Sequence, residues 1–501
     1  MFSIYFSQLF FLSLLKSINA KMVNYQRTKL FLLTGFLFIS SCQSDTTKVT
    51  TSEGEKEIST DELLQTIGAS YAYGYPLVLM DLTKKVSTNI KSPHPNRPIA
   101  PVNQLGHFRK FPDHTLTAIV KPNVDTYYSI AWFDLEKEPQ VLFMPATERY
   151  YLLPFYDAYS NVFASPGTRT TGTDAQFLLI AGPNWKGETP EGMSLIQSPT
   201  QMTWLLGRIQ VNSPEDGATT VKKIQDAMRL VPLSEFSNED YTPPTGMVKV
   251  ENQSIIPVKT IREFNVNTYL SRLSELMVKN PPAPADSVII KKMARIGLIP
   301  GQPFGVSTDN FILKTKLSKL PDFIHKKFED RRAEPDRALL NNGWMLVSEG
   351  IGTYGTDFLR RAYIDFIGLG ACIPEDAVYP NCSFDKNGNP LDANNKYTIH
   401  FEADQIPPVN AFWSLTAYNE DEFLVKNELN RFALGDRDDL KFNEDGSLDL
   451  YIQTNKPSGD QTQNWLPIPS NGPFYLTLRL YWPKQEVLDG KWKIPFVVPV
   501  K

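Results

Sequence analysis

The sequence predicts a mostly β chain with helical insertions, an α+β architecture in which two antiparallel β-sandwich or jelly-roll-like domains are joined by a helical region. Three observations predict it. Between residues 117 and 209, short aromatic and β-branched runs (TAIVK, TYYSIAWF, QVLFMP, RYYLLPFY, FLLIAG, TWLLGRI) are separated by Pro, Gly, Asn and Asp, the punctuation of antiparallel strands. From about 215 to 370 that character fades, and EDGATTVKKIQDAMRL, DSVIIKKMARIGL and DFLRRAYIDFIGLG space their apolar residues as helices do. Strand character then returns in YTIHF, AFWSLTAY, LDLYIQT and FYLTLRLYW, where Leu448, Leu450 and Ile452 alternate after an Asp445-Gly446 turn. No fixed-period repeat is present, which argues against a solenoid or propeller.

The chain begins with a region that is not expected in the mature fold. From Met22, Arg27 and Lys29 precede a ten-residue apolar run at 30–39 (LFLLTGFLFI), then Ile39, Ser40, Ser41 and Cys42. The run is signal-peptide length and falls short of the ~20 residues a bilayer span needs. This order resembles the bacterial lipobox, which implies cleavage before Cys42 and lipidation of that cysteine. More than one acyl chain, palmitate among them, would make a stable membrane anchor. A second apolar run at 2–15 lies upstream, so translation is expected to start at Met22 and residues 1–41 to form the leader. Residues 42–60 (CQSDTTKVTTSEGEKEIST) carry almost no large apolar side chain and read as a lipidated tether.

Residues 61–214 follow as an N-terminal β domain with a leading helix. Ser59 and Glu62 stand in capping-box relation, and Leu63, Leu64, Ile67 and Tyr71 recur at helical spacing, so a helix should start at Thr60 and run towards Pro76. Residues 215–370 form the helical connector and 371–501 the C-terminal β domain. The full chain has 501 residues, room for two or three domains, with 42% hydrophobic and 21% charged residues. Its 38 prolines and 28 glycines fit many turns, and a net charge of -4 offers no field for a phosphate backbone, which excludes nucleic acid as a partner.

Motif tests mostly return structural readings. Gly350, Gly352 and Gly355 match G-x-G-x-x-G, but GWMLVSE before them reads as readily as a helix end as a βαβ strand, so a structural loop is expected and no cofactor. DKNGN at 385–389 has calcium-loop spacing but lacks the required later glycine and glutamate, which leaves an Asn387-Gly388 turn. The five histidines form no metal motif, and no metal is predicted. Cys372 and Cys382 either close a short disulfide, worth roughly 2 to 3 kcal/mol, or remain two buried thiols.

What remains is a set of polar residues inside aromatic strand segments. Asn123, Asp125, Asn430, Arg431, Asn464 and Arg479 could supply convergent hydrogen bonds, and Tyr127, Tyr156, Trp465 and Tyr481 flat apolar faces. The alternative is that these aromatics pack a β core while the polar groups tie down loops. The stretch from YAYGYPLVLM through KPNVDTYYSIAWFDL, YYLLPFYDAYSNVF and TRTTG to WLLGRI resembles the bacterial domain of unknown function 1254. FLRRAYIDFIGLGA, YTIHFEADQIPPVNAFWSLTAYN, NELNRFALG, NWLPIP and FYLTLRLYWP resemble the domain of unknown function 1214. The resemblance implies a two-part, mostly β envelope or secreted protein. It supplies no established catalytic residue; agreement at Asn123, Asp125, Arg431, Asn464 and Trp465 marks candidate positions only.

The function expected from these features is a lipid-anchored cell-envelope protein, facing the periplasm from the outer membrane, that binds a glycan or a small aromatic or polar ligand near the two β domains. A second reading is an envelope hydrolase or lyase acting on a glycan-like substrate, with Asp125 or Asp157 as acid or base and Arg431 or Arg479 steadying negative charge. A third is a structural subunit of a homo-oligomer.

Overall fold

The computed structural model describes residues 46–51, 54–117, 119–306, 308–331 and 338–500. The leader, the Met22 start and Cys42 lie outside the described residues. The first described segment corrects the tether reading: β1 (Thr46–Thr51) and β2 (Gly54–Ser59) pair as an antiparallel hairpin with Thr46 opposite Ser59. A β ladder is satisfied by backbone groups alone, so a polar composition does not prevent it.

Ser59 then caps the first helix. Its hydroxyl accepts from the Glu62 backbone N–H at 3.2 Å, and α1 (Thr60–Ser87) follows. The helix does not stop near Pro76 as expected but runs through it. From Ser70 to Leu82 every residue of α1 is buried, and packing on all faces offsets the one backbone hydrogen bond that proline removes.

The N-terminal β half contains two sheets. One orders β3 (Gly106–Phe108), β4 (Thr126–Asp134), β11 (Met202–Gln210), β7 (Phe155–Tyr156) and β8 (Val162–Ala164), with β6 (Tyr151–Leu152) also on β11. The other orders β10 (Met193–Gln197), β9 (Gln176–Ala181), β5 (Gln140–Met144) and β12 (Arg229–Pro232). Leu205 and Ile209 of β11 join Ala131 and Phe133 of β4 against Leu142, Met144 and Ile180 of the facing sheet. The period of two sends Met202, Trp204 and Leu206 to the opposite face, where they pack on helices.

Those helices wrap α1: α2 (Lys222–Ala227) stays with the β half, while α3 (Pro257–Glu263), α4 (Val266–Lys279), α5 (Ser287–Arg295), α6 (Phe311–Arg331) and α7 (Phe358–Gly368) pack on α1. Tyr71 of α1 stacks on Tyr269 of α4 at 4.0 Å and hydrogen-bonds His325 of α6 at 3.3 Å. His325 is buried among Tyr75, Phe328 and Phe366, and burial pushes its pKa down to about 4.

The segment read as a purely helical connector also supplies strands to both halves. Besides β12, it contributes β13 (Ala338–Asn341) and β14 (Trp344–Val347) to the C-terminal half. Trp344 and Leu346 are buried while Met345 and Val347 face outward, the period-two pattern of a strand that the apolar run GWMLV concealed. Around them, one sheet orders β13, β14, β16 (Asn381–Cys382), β22 (Phe474–Pro483), β18 (Val409–Asn419) and β19 (Ala433–Gly435), with β15 (Ala377–Val378) also on β22. The second orders β21 (Trp465–Pro467), β20 (Leu448–Gln453), β17 (Lys396–Phe401) and β23 (Val498–Val500). Ile399, Leu450 and Ile452 meet Leu415, Leu476 and Leu478 in the core between them. The sheets are antiparallel except for two edges, where β9–β10 and β20–β21 run parallel. Mostly β pairs of sheets with intervening helices are thus the architecture, and Thr46–Lys501 is one compact unit.

Candidate functional site

Residues 121–126, the approach to β4, cross from the N-terminal half into the C-terminal sheet. Asn123 turns the chain with its own side chain, Oδ1 accepting from the backbone of Asp125 at 2.7 Å and Thr126 at 3.2 Å, while Nδ2 donates to the Tyr481 hydroxyl at 2.6 Å. Tyr418 donates to the Pro122 carbonyl at 2.9 Å. The Asp125 carboxylate, fully buried, ion-pairs with Arg437 and accepts from Ser414 Oγ at 2.8 Å. Arg437 also donates to the Asp125 and Val211 carbonyls and lies over the Phe412 ring at 4.4 Å. The Asp125 carboxylate and the Arg437 guanidinium answer each other's charge here, although Arg437 Nε and Thr126 Oγ1 have no hydrogen-bond partner, so the ion pair closes this side of the seam.

Beside it the seam opens into a cavity of about 800 Å³, within the range of small-molecule sites. One wall comes from α7 with Tyr363, Ile364 and Ile367; another from Met345 and Val347 of β14 and Ile351 after it. The segment Ala371–Tyr379, bearing Cys372, Pro374 and Val378, forms a third. The charged groups of the lining are mostly cationic: Arg208 from β11, Arg360 on the same face of α7 as Tyr363 and Ile364, Arg479 from β22 and Lys121 of the crossing segment, against the single carboxylate of Glu422, which pairs with Lys121 at 3.1 Å.

Local sequence explains how these groups arrive there. Arg208 stands two residues beyond Leu206 and four beyond Trp204, so it shares their face of β11 and lies where that apolar stripe leaves the helical layer. It is 6% exposed; its guanidinium donates to the Leu206 carbonyl at 3.3 Å and the Gly370 carbonyl at 3.2 Å and sits 5.3 Å from the Tyr128 ring. Arg479 of β22 donates to Thr416 Oγ1 at 2.7 Å, the Lys121 carbonyl at 3.2 Å and the Tyr418 hydroxyl. Asp357 caps α7 by accepting from the Arg360 N–H at 3.1 Å. The next residue, Arg361, turns about 100° away and is buried against Tyr73, Tyr159 and Phe358. Below it, burial pushes the carboxyls of Asp157 and Asp365 up, although Asp365 accepts from Ser160 Oγ at 2.6 Å.

Of the residues singled out from sequence, Asn123 and Arg479 line the cavity, and Tyr481 and Tyr156 brace it from behind, Tyr156 by donating to the Gly370 carbonyl at 2.9 Å. The others lie elsewhere. Asp125 belongs to the closed side of the seam, and Asp157 accepts from the backbone of Tyr159 and Asn161 at 2.8 and 2.9 Å. Arg431 donates to the carbonyls of Thr462, Gln463 and Trp465, and Asn464 ties Lys441 to Asp449, so both fasten loops of the C-terminal half. Trp465 donates to the Gln453 carbonyl at 2.7 Å; Tyr127 packs in the N-terminal core; Asn430 is an exposed turn residue with φ 50°. The two thiols are free and belong to different cores, Cys372 near Tyr379 and Cys382 donating to the Phe384 carbonyl at 3.1 Å, so no disulfide joins them.

Gly350, Gly352 and Gly355 all have φ between 55° and 76°, the left-handed region where glycine is favoured. A strand, β14, does precede them, but it pairs antiparallel with β13 and β16, and the Gly352 carbonyl accepts from Val162 at 2.7 Å, so the motif is a loop of the seam. At 385–389, Asp385 Oδ1 accepts from the backbone of Asn387 and Asn389 around Gly388, which makes a turn. Arg208, Arg360, Lys121 and Tyr379 were missed. The available signal was a cation inside a strand run rich in large apolar residues, TWLLGRI, and another in FLRRAYIDF.

Two family models match the chain in the order described: Protein of unknown function (DUF1254) over residues 102–232 and Protein of unknown function (DUF1214) over residues 376–485. Both matches thus fall in one chain, the DUF1254 match ahead of the DUF1214 match. The crystal structure of the VPA0106 protein from Vibrio parahaemolyticus is 23% identical, with a TM-score of 0.65 over 87% of this chain and 100% of that chain, a likeness of fold. An uncharacterised protein from Burkholderia cenocepacia is 14% identical over 88% of this chain and 95% of that chain, with a TM-score of 0.38. No curated protein matches.

Proposed function

We propose that this chain is a cell-envelope protein, anchored by lipid on Cys42, that binds a small, largely apolar ligand in the cavity between its two β halves. The observation that carries this reading is the cavity itself: about 800 Å³, walled by both halves and by α7, and apolar over most of its lining with a few cationic and polar side chains. That lining favours an aromatic or aliphatic compound over a glycan, whose many hydroxyls would each need a partner. Asp125 supports no acid–base role, because its carboxylate is held by Arg437 and Ser414 away from the cavity.

The test uses the chain from Gln43 to Lys501, which contains the whole compact unit. The neutral dye N-phenyl-1-naphthylamine should bind saturably at one site, and Val347→Trp with Ile367→Trp, both on the cavity wall, should weaken it at least tenfold. Dye binding that ignores the two tryptophans would remove the cavity from the account. For the anchor, metabolic lipid labelling should be lost in Cys42→Ser, and labelling that persists defeats it. Among the described residues no helix is long and apolar enough to cross a membrane.

A further inference from the structure

We infer that the ligand of this cavity is an amphipathic anion, its acidic head seated at Arg208 and its carbon body against Val347, Ile364 and Ile367. The inference rests on the cavity being a binding site and adds the chemical class of what it binds. Three observations lead to it.

First, Arg208 carries a charge it cannot lose, at 6% exposure, on a strand face where Met202, Trp204 and Leu206 precede it. Burying an ion without a counter-ion costs several kcal/mol, and proteins ordinarily supply one. Among the described residues no carboxylate ion-pairs with Arg208. Its guanidinium has two backbone carbonyls and a ring face, and its Nε has no hydrogen-bond partner. The Asp376 carboxyl, which feels the charge of Arg208, is committed to Arg169 at 2.7 Å.

Second, Arg479 on the same cavity is in the same position. It is 4% exposed, its donors go to a threonine, a tyrosine and a carbonyl, and the nearby Asp125 is committed to Arg437. Two guanidiniums at this depth give the cavity a positive potential that the Lys121–Glu422 pair does not offset. Third, most of the lining is apolar, Val347, Ile351, Ile364 and Ile367 among it, with the guanidiniums and a few neutral polar side chains such as Ser348 and Thr477 making up the remainder, so a fully ionic ligand would leave most of the volume unmatched. An acid head on an apolar body satisfies both parts of the lining, the head through short charge-assisted bonds to a planar donor fork.

Carboxylates and phosphate monoesters share this chemistry, and the experiment separates them. Octanoate, octyl phosphate and octanol, which have the same tail, are titrated into the chain from Gln43 to Lys501 by calorimetry. At least one anion should bind ten times more tightly than octanol. Octanoate ahead of octyl phosphate identifies a carboxylate site, and the reverse order a phosphate site. Arg208→Met should erase the preference by weakening the anion and not the alcohol, and Arg208→Lys should retain part of it. Equal affinity for all three in the wild type overturns the inference while leaving the cavity reading in place. Binding of none of them overturns both. The wild-type comparison stands even if a variant fails to fold.

Discussion

Arg437 and Arg208 lie in the same seam between the two β halves, and the protein treats them in opposite ways. Arg437 is given a buried carboxylate, two carbonyls and an aromatic face; Arg208 is given two carbonyls and an aromatic face but no carboxylate. The first arrangement is how a chain fastens two domains. The second leaves a charge unbalanced beside an open volume. The difference teaches that burial of an arginine is not in itself a functional signal, whereas burial without a counter-ion next to a cavity is one.

The comparison can be broken by removing the charge on each side. Asp125→Asn strands Arg437 in the seam, and loss of one partner from a buried pair should lower unfolding free energy by about 3–5 kcal/mol. Arg208→Met, in contrast, exchanges an unpaired cation for an apolar side chain of similar length and should change it by about 1 kcal/mol or less. Denaturant unfolding of the two variants measures both. Equal losses would mean that Arg208 is as much a fastener as Arg437, and the distinction between the two regions would fall.

A smaller effect sharpens the same point, because His325 can do what an arginine cannot: escape the cost of burial by giving up its proton. Its pKa falls from the ordinary 6.5 to about 4 in the fold, so the unfolded chain takes up the proton first as pH drops. The stabilising contribution is complete above pH 6.5 and is lost as pH falls towards 4, with a total of roughly 2 to 3 kcal/mol. His107, also lowered to about 4 by burial, adds a second such contribution. His325→Phe should flatten part of the acid slope of stability between pH 6.5 and 4. An unchanged slope would show that His325 binds its proton equally well in the folded and unfolded chain.

Much of the architecture was legible in sequence because it follows local rules. The Ser59 cap, the alternation at Leu448–Ile452 and the punctuated strands of the first half all express themselves within a few residues. Pro76 misled because tertiary burial overrides a local breaker, and the hairpin at 46–59 because backbone pairing asks little of side chains. The cavity was less legible. Asn123 and Arg479 were found among conspicuous polar residues, but Arg431 and Asn464 are equally conspicuous and only hold carbonyls. What separates them is whether a counter-group is present, and that depends on residues far apart in the chain: Arg437 and Asp125 are separated by 312 positions.

The strands β13 and β14, which the middle of the chain lends to the C-terminal sheet, and β22, which that sheet is built around, bear on the order in which the molecule can be made. β22 contacts β15, β16 and β18 and is reached only at residues 474–483. Until it arrives, β16 and β18 have no common neighbour, and the sheet that carries Ser414 opposite Asp125 is incomplete. A chain threaded outward from its N-terminus therefore holds most of its sequence in an unfinished state, with the second half locking the first only in the closing stretch of synthesis.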